Sequence, residues 1–114
     1  NKSYVSPLNK NTVLPMMHVE DAVSATLKLM NVERKKISIN GAYNLGSFET
    51  SPKQWREIIS SLGYELKLEF KEDFRQSIAD SWPKKIDDTQ FRNDIFWSPQ
   101  FDAKSTAEDI LKLI

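Results

Sequence analysis

At 114 residues, 39% hydrophobic and 11% aromatic, the chain suits one small domain with a modest core, and disorder is excluded. Sixteen basic residues cancel sixteen acidic ones, which argues against a nucleic-acid or membrane-surface partner. Without cysteine there is neither a disulfide framework nor a thiolate metal site, and the single histidine, His18, rules out a His-rich metal centre.

Residues 2–8 and 13–19 read as strands, divided by the turn-forming Asn9-Lys10-Asn11. A helix follows through Met30, with Val19, Val23, Leu27 and Met30 on one face. Glu20 and Asp21 stand in its first turn, where the helix dipole favours negative charge. Residues 33–36 form a charged loop, and 37–45 include a short strand ending at Gly46. Ser51-Pro52-Lys53-Gln54 predicts a capping box, with proline at the first helical position. Trp55, Ile58, Ile59 and Leu62 line one face of that helix, and Gly63 closes it. In residues 64–71, Tyr64, Leu66, Leu68 and Phe70 alternate with charged residues, the pattern of a half-buried strand.

Residues 73–82 predict a short helix burying Phe74 and Ile78, with Trp82 at its end and Pro83 as its stop. Asp88 is placed to cap a helix carrying Phe91 and Ile95. Asp102 is placed to cap a last one with Ala103, Ala107, Ile110, Leu111 and Ile114 inward. The expected fold class is α/β: a mixed lobe with short strands and about five helices, rather than a self-sufficient doubly wound sheet. No apolar run reaches the length of a membrane span, so a soluble, cytoplasmic protein is expected.

A dinucleotide site needs a glycine-rich turn after a strand, because only glycine lets the backbone reach the pyrophosphate. The glycines here are Gly41, Gly46 and Gly63, and they form no G-x-G-x-x-G. Tyr4, Tyr43 and Tyr64 are followed four residues on by Leu8, Ser47 and Leu68, so the tyrosine–lysine pair of short-chain dehydrogenases is missing. No G-x-S-x-G nucleophile elbow occurs. Catalytic, cofactor-binding and metal-ligating residues are therefore expected to be absent from these 114 residues.

Three blocks carry a resemblance. His18-Val19-Glu20-Asp21-Ala22 resembles the entry to a C-terminal helix in extended short-chain dehydrogenases, including sugar-nucleotide epimerases. Tyr43-Asn44-Leu45-Gly46 with Thr50-Ser51-Pro52 resembles a second segment of that family. Asp87-Asp88-Thr89, then Phe96-Trp97-Ser98-Pro99 and Phe101-Asp102, resembles its C-terminal ending. Two further blocks, Leu14-Pro15-Met16-Met17 and Asp73-Phe74-Arg75-Gln76-Ser77-Ile78-Ala79-Asp80-Ser81-Trp82-Pro83, are similar to short-chain L-threonine 3-dehydrogenases. The chain departs from them at His18, where tyrosine is more usual, and at Phe96, where glycine usually precedes the tryptophan.

The resemblance implies that residues 1–114 are the substrate-side, C-terminal lobe of an NAD-dependent enzyme that oxidises L-threonine to 2-amino-3-ketobutyrate. The Rossmann NAD-binding half, with the catalytic tyrosine and lysine, would lie upstream. The opening of the chain at Asn1, straight into a strand, is taken in the same sense. The implied partners are that missing half and a small amino-acid substrate, with a homodimer also open. The 114 residues alone are expected to be inactive and not to bind NAD. A sugar-nucleotide epimerase or dehydratase lobe and a stand-alone interaction module are the alternative functions.

Substrate-binding candidates are Trp82, Asp80, Met16 and Met17. Trp82 reads either as core packing under the last helix or as a wall of the threonine pocket. Asp80 and Arg75 read as an ion pair, with each other or with the missing half. Met16 and Met17 should alternate across a strand, one in the core and the other free to face the cleft. His18 reads as a structural hydrogen-bonding residue, and Trp55 and Trp97 as core.

Overall fold

The structure, a computed structural model, describes residues 3–39 and 41–114. Among these it is mixed α/β, with four three-residue strands and five α-helices, in agreement with the sequence pattern. β1 (Tyr4–Ser6) runs parallel to β4 (Leu68–Phe70), with Tyr4 opposite Leu68. β2 (Leu14–Met16) runs antiparallel to β3 (Phe48–Thr50), with Met16 opposite Phe48. Two-stranded ladders are marginal in water and need a packed partner.

β1 forms at the centre of its predicted stretch, whose Lys2 start lies outside the described residues, and β2 forms in the first half of its own, whereas β3 lies where the sequence pattern predicted no strand. The stretch 64–71 is a strand only over β4. Its pairing with β1 begins at Lys67, whose carbonyl accepts from the Tyr4 amide at 2.9 Å, and Tyr64 is left exposed. No strand forms among the described residues of 37–45 (Asn40 is outside them). Their polar groups are taken by a helix instead: the Ser38 amide and the Tyr43 hydroxyl both donate to the Asp94 carboxylate.

α1 (Val19–Asn31) forms where predicted, but its inward face is not the expected one. Val19, Val23, Leu27 and Met30 are 52–74% exposed, while Asp21 and Ala25 are each 1% exposed. The reason lies in the segment packed beneath the helix. The Gln100 and Phe101 amides donate to Asp21, and the Trp97 indole donates to Ser24. Polar stitching and the small Ala25 set the rotation, and the apolar stripe is turned outward. Ala25 joins Phe91, Ile95 and Trp97 in the core, with Met17, Leu29 and Tyr43 against it. The Phe91 ring meets Trp97 and Tyr43 edge-on, at 5.7 and 5.5 Å between centroids.

The remaining helices start where side chains can satisfy their free amides. α2 (Pro52–Ser61) has the predicted capping box between Ser51 and Gln54, and Gly63 closes it at φ 90°. α5 (Ala103–Leu111) packs on α2 and is capped by Asp102 with Ser105. α4 (Thr89–Ile95) buries Phe91 and Ile95 as predicted. Asp88, however, does not cap it: its carboxylate takes the Arg92 guanidinium at 2.8 Å and the Gly46 amide at 3.3 Å. Asp87 accepts from the Thr89 amide instead.

α3 (Phe74–Asp80) is capped by Asp73 and held by its polar side, so Phe74 and Ile78 are exposed rather than buried and only Ala79 is enclosed. Ile110 and Ile114 are likewise exposed, lining an open apolar cleft with Trp55 and Ile59.

The chain forms a slab of 51 × 32 × 16 Å with a radius of gyration of 16.7 Å. A compact chain of this length would measure about 13 Å.

Candidate functional site

The structure places Asp80 and Trp82 together on the wall of one cavity of about 500 Å³. The turn at residues 9–12 faces α3 across it, with Glu72 and Lys84 at its margins. Trp82 is 57% exposed, which settles one alternative: it is not core beneath the last helix. It follows α3 directly, with its amide bonded to the Ala79 carbonyl at 3.1 Å. Pro83 then prevents the helix from continuing.

Asp80 is anchored through Gln76. The Gln76 amide nitrogen donates to Asp80 Oδ1 at 2.7 Å. Its oxygen accepts from the Asn9 amide at 2.6 Å and the Thr12 hydroxyl at 3.1 Å. Asn9 in turn donates to Glu72 at 2.8 Å. Arg75 is not part of this arrangement. It pairs with Asp73 at 2.6 Å, so the expected Arg75–Asp80 pair does not form. Two residues apart at a helix start, Asp73 is closer to Arg75 than Asp80 is, one and a half turns away on another side. The guanidinium beside Asp73 holds that carboxyl below its usual range.

Met16 and Met17 lie outside this cavity. Met16 Sδ sits 3.3 Å from the Trp55 indole nitrogen, and Met17 packs on the core. Trp55 is only half-buried, edge-on to Phe48, whereas Trp97 is core as expected. His18 is structural. Its Nδ1 accepts the Glu20 amide at 2.9 Å, capping α1, so Nε2 carries the proton and donates to Asp109 at 2.8 Å. The ring stacks on Phe101 at 3.9 Å.

Sequence reasoning missed Asn9, Thr12 and Lys84, which belong to the cavity without forming a motif, and assigned no role to Gln76. Asn9 carried only a turn signal; its use here depends on a helix more than 60 residues away.

A larger cavity, about 640 Å³, opens between Gly46, Phe48, Lys85 and Arg92. Its Asp88 and Arg92 are already joined to each other, which leaves that charged pair less to offer a ligand.

Gly46 is pressed against the Ile86 carbonyl, 3.2 Å from where a side-chain carbon would stand, and Gly63 ends a helix rather than opening one. Among the described residues no helix is long and apolar enough to cross a membrane.

The fold matches part of an extended short-chain dehydrogenase fold, and the sequence is similar over nearly its whole length to proteins named epimerase/dehydratase. L-threonine dehydrogenases are among its structural neighbours. A GalE-like L-threonine dehydrogenase from Cupriavidus necator, in its holo form, matches with a TM-score of 0.94 and 33% identity over 98% of this chain and 36% of that one. The L-threonine dehydrogenase of Phytophthora infestans matches at 0.91 and 35% identity, over 97% of this chain and 36% of that one. An uncharacterized epimerase/dehydratase of Staphylococcus aureus is 34% identical over 112 residues, 97% of this chain. The chain spans 35% of that relative's length. No family model matches the sequence.

Proposed function

We propose that the chain is the substrate-side lobe of an NAD-dependent L-threonine 3-dehydrogenase. The observation that carries this reading is the cavity in which Asp80 and Trp82, two residues of the threonine-dehydrogenase-like block 73–83, meet. Its lining, mostly polar side chains with Trp82 among them, suits a polar substrate.

The outward faces support a lobe that docks on further protein. The exposed stripe of Val19, Val23, Leu27 and Met30 and the thin slab shape are what remain when one side of a fold is taken away. NAD, the catalytic tyrosine and lysine, and the hydride step belong to the covering part. This lobe contributes closure, orientation of the substrate and exclusion of water.

The epimerase/dehydratase name of the Staphylococcus aureus relative favours a second reading, a lobe acting on sugar nucleotides. One assay separates the two. The intact protein is given NAD with L-threonine or with a UDP-sugar, and NADH is followed by absorbance. Threonine-dependent reduction is expected; reduction with the UDP-sugar alone would keep the family and overturn the substrate.

A further inference from the structure

His18 joins α1, α5 and the segment between them, and its bonds fit one protonation state. Its ring is 5% exposed and stacks on Phe101 at 3.9 Å between centroids. Nε2 lies 2.8 Å from Asp109 of α5, and Nδ1 lies 2.9 Å from the Glu20 amide in the first turn of α1. An amide can only donate, so Nδ1 must present its lone pair. The bonded ring is neutral, with its proton on Nε2.

A second proton would have to sit on Nδ1, where it faces another donor. Both nitrogens of an imidazolium donate, so the Glu20 amide would lose its acceptor and α1 its cap. Asp109 is the one ionisable side chain bonded to the ring among the described residues, and its attraction for the cation works the other way. Its side chain is 39% exposed, so water screens that attraction. The opposed N–H groups meet beside a ring that water hardly reaches. The other acidic groups close by are committed elsewhere: Asp21 accepts from the Gln100 and Phe101 amides, and Asp102 caps α5. Glu20 meets the ring only through its backbone.

We propose that His18 is a proton-sensitive clasp on α1. The neutral ring caps the helix and ties its start to α5; a proton taken up at Nδ1 frees the Glu20 amide and loosens the first turn. Val19, which begins the exposed apolar stripe, belongs to that turn, so the clasp controls the start of the face that α1 presents outward. The device is built into this lobe and holds whichever substrate the intact enzyme takes.

The test uses the 114-residue chain, in which His18 is the single histidine and its ring signals are unambiguous. Long-range nitrogen–proton NMR spectra near about pH 8 should show a proton on Nε2 and a bare Nδ1. Exchange of the Glu20 amide with water is then compared between the parent and His18→Asn, whose side-chain oxygen caps a helix without titrating. The two rates should agree near about pH 8, and the parent should exchange about fivefold faster near about pH 5. Asp109→Asn should leave that acid response in place, because the response arises at Nδ1. Melting temperatures confirm that each variant is folded, and His18→Ser, a second cap that does not titrate, replaces His18→Asn if needed. A proton on Nδ1 at the higher pH, equal rates at the lower one, or a response abolished by Asp109→Asn would each overturn the clasp.

Discussion

Asp21 and Phe101 lie 80 residues apart, yet the Phe101 amide donates to the Asp21 carboxylate at 3.0 Å, and the neighbouring Gln100 amide takes the other oxygen at 2.9 Å. Asp21 is 1% exposed. This one side chain joins the first turn of α1 to the segment that precedes α5. His18, three residues earlier, adds a second tie through Asp109 and the stack on Phe101. The acidic residue of the His18–Ala22 block thus works as a staple, and the dipole argument that placed it in the first turn accounts for little of its burial.

Asp21→Ala should therefore destabilise the chain by about 2–4 kcal/mol, because two amides lose a buried charged acceptor together. Urea unfolding measures it. A midpoint within error of the parent would mean that water or a rearranged segment satisfies those amides.

Local signals were the legible part of the fold. The caps at Ser51 and Asp102 and the glycine stop at Gly63 depend on a few adjacent residues, and the structure has all three. Rotation about the helix axis depends on distant partners. Val19, Val23, Leu27 and Met30 show an apolar period without showing what will cover it, and the face that packs is the one that Asp21 and Ser24 stitch down. The candidate site divides in the same way. Asp80 and Trp82 share a block in sequence, whereas Asn9 and Thr12 reach it only through tertiary folding.

Phe96 has φ 55° and ψ 47°, a left-handed conformation in which a Cβ is strained, and its ring is 77% exposed. Phe96→Gly should stabilise the chain by about 0.5–1 kcal/mol, since little packing is lost and the strain is relieved. Phe96→Ala serves as the control, because it keeps the Cβ and should gain nothing. Thermal melts decide, and equal melting temperatures for the two variants would count against the strain.

The Asp94 carboxyl is held down to about 2 from the usual 3.8, first by the Ser38 hydroxyl and then by the Tyr43 hydroxyl. A folded-state value below the unfolded one contributes stability that is complete above the unfolded value and is lost as the pH falls through the folded value. Asp94→Asn should thus be less stable than the parent near neutral pH. The gap should close between about pH 4 and about pH 2, where the parent carboxyl takes up its proton. Melting temperatures of both proteins across that range provide the measurement, and a gap independent of pH would remove the carboxylate from the account.

Trp82→Ala separates packing from substrate handling. The ring is 57% exposed in this lobe, so its removal leaves no enclosed void and should change stability by less than about 1 kcal/mol. The backbone around it is set by the end of α3 on one side and Pro83 on the other, and the residue lines the cavity. In the intact enzyme its ring would cover a bound amino acid and keep water from the reacting carbon. A misplaced substrate loses on the order of a hundredfold in rate. The expected signature is a fall of about that size in kcat/KM for L-threonine, with NAD affinity and melting temperature unchanged, because the proposed reading places the cofactor on the part of the protein that covers this lobe. If the remaining protein only packs against the ring, the melting temperature should drop by several degrees while the kinetics of the folded enzyme stay normal. One variant with three measurements therefore distinguishes a pocket wall from a docking contact, and a stable variant with unaltered threonine kinetics would refute both.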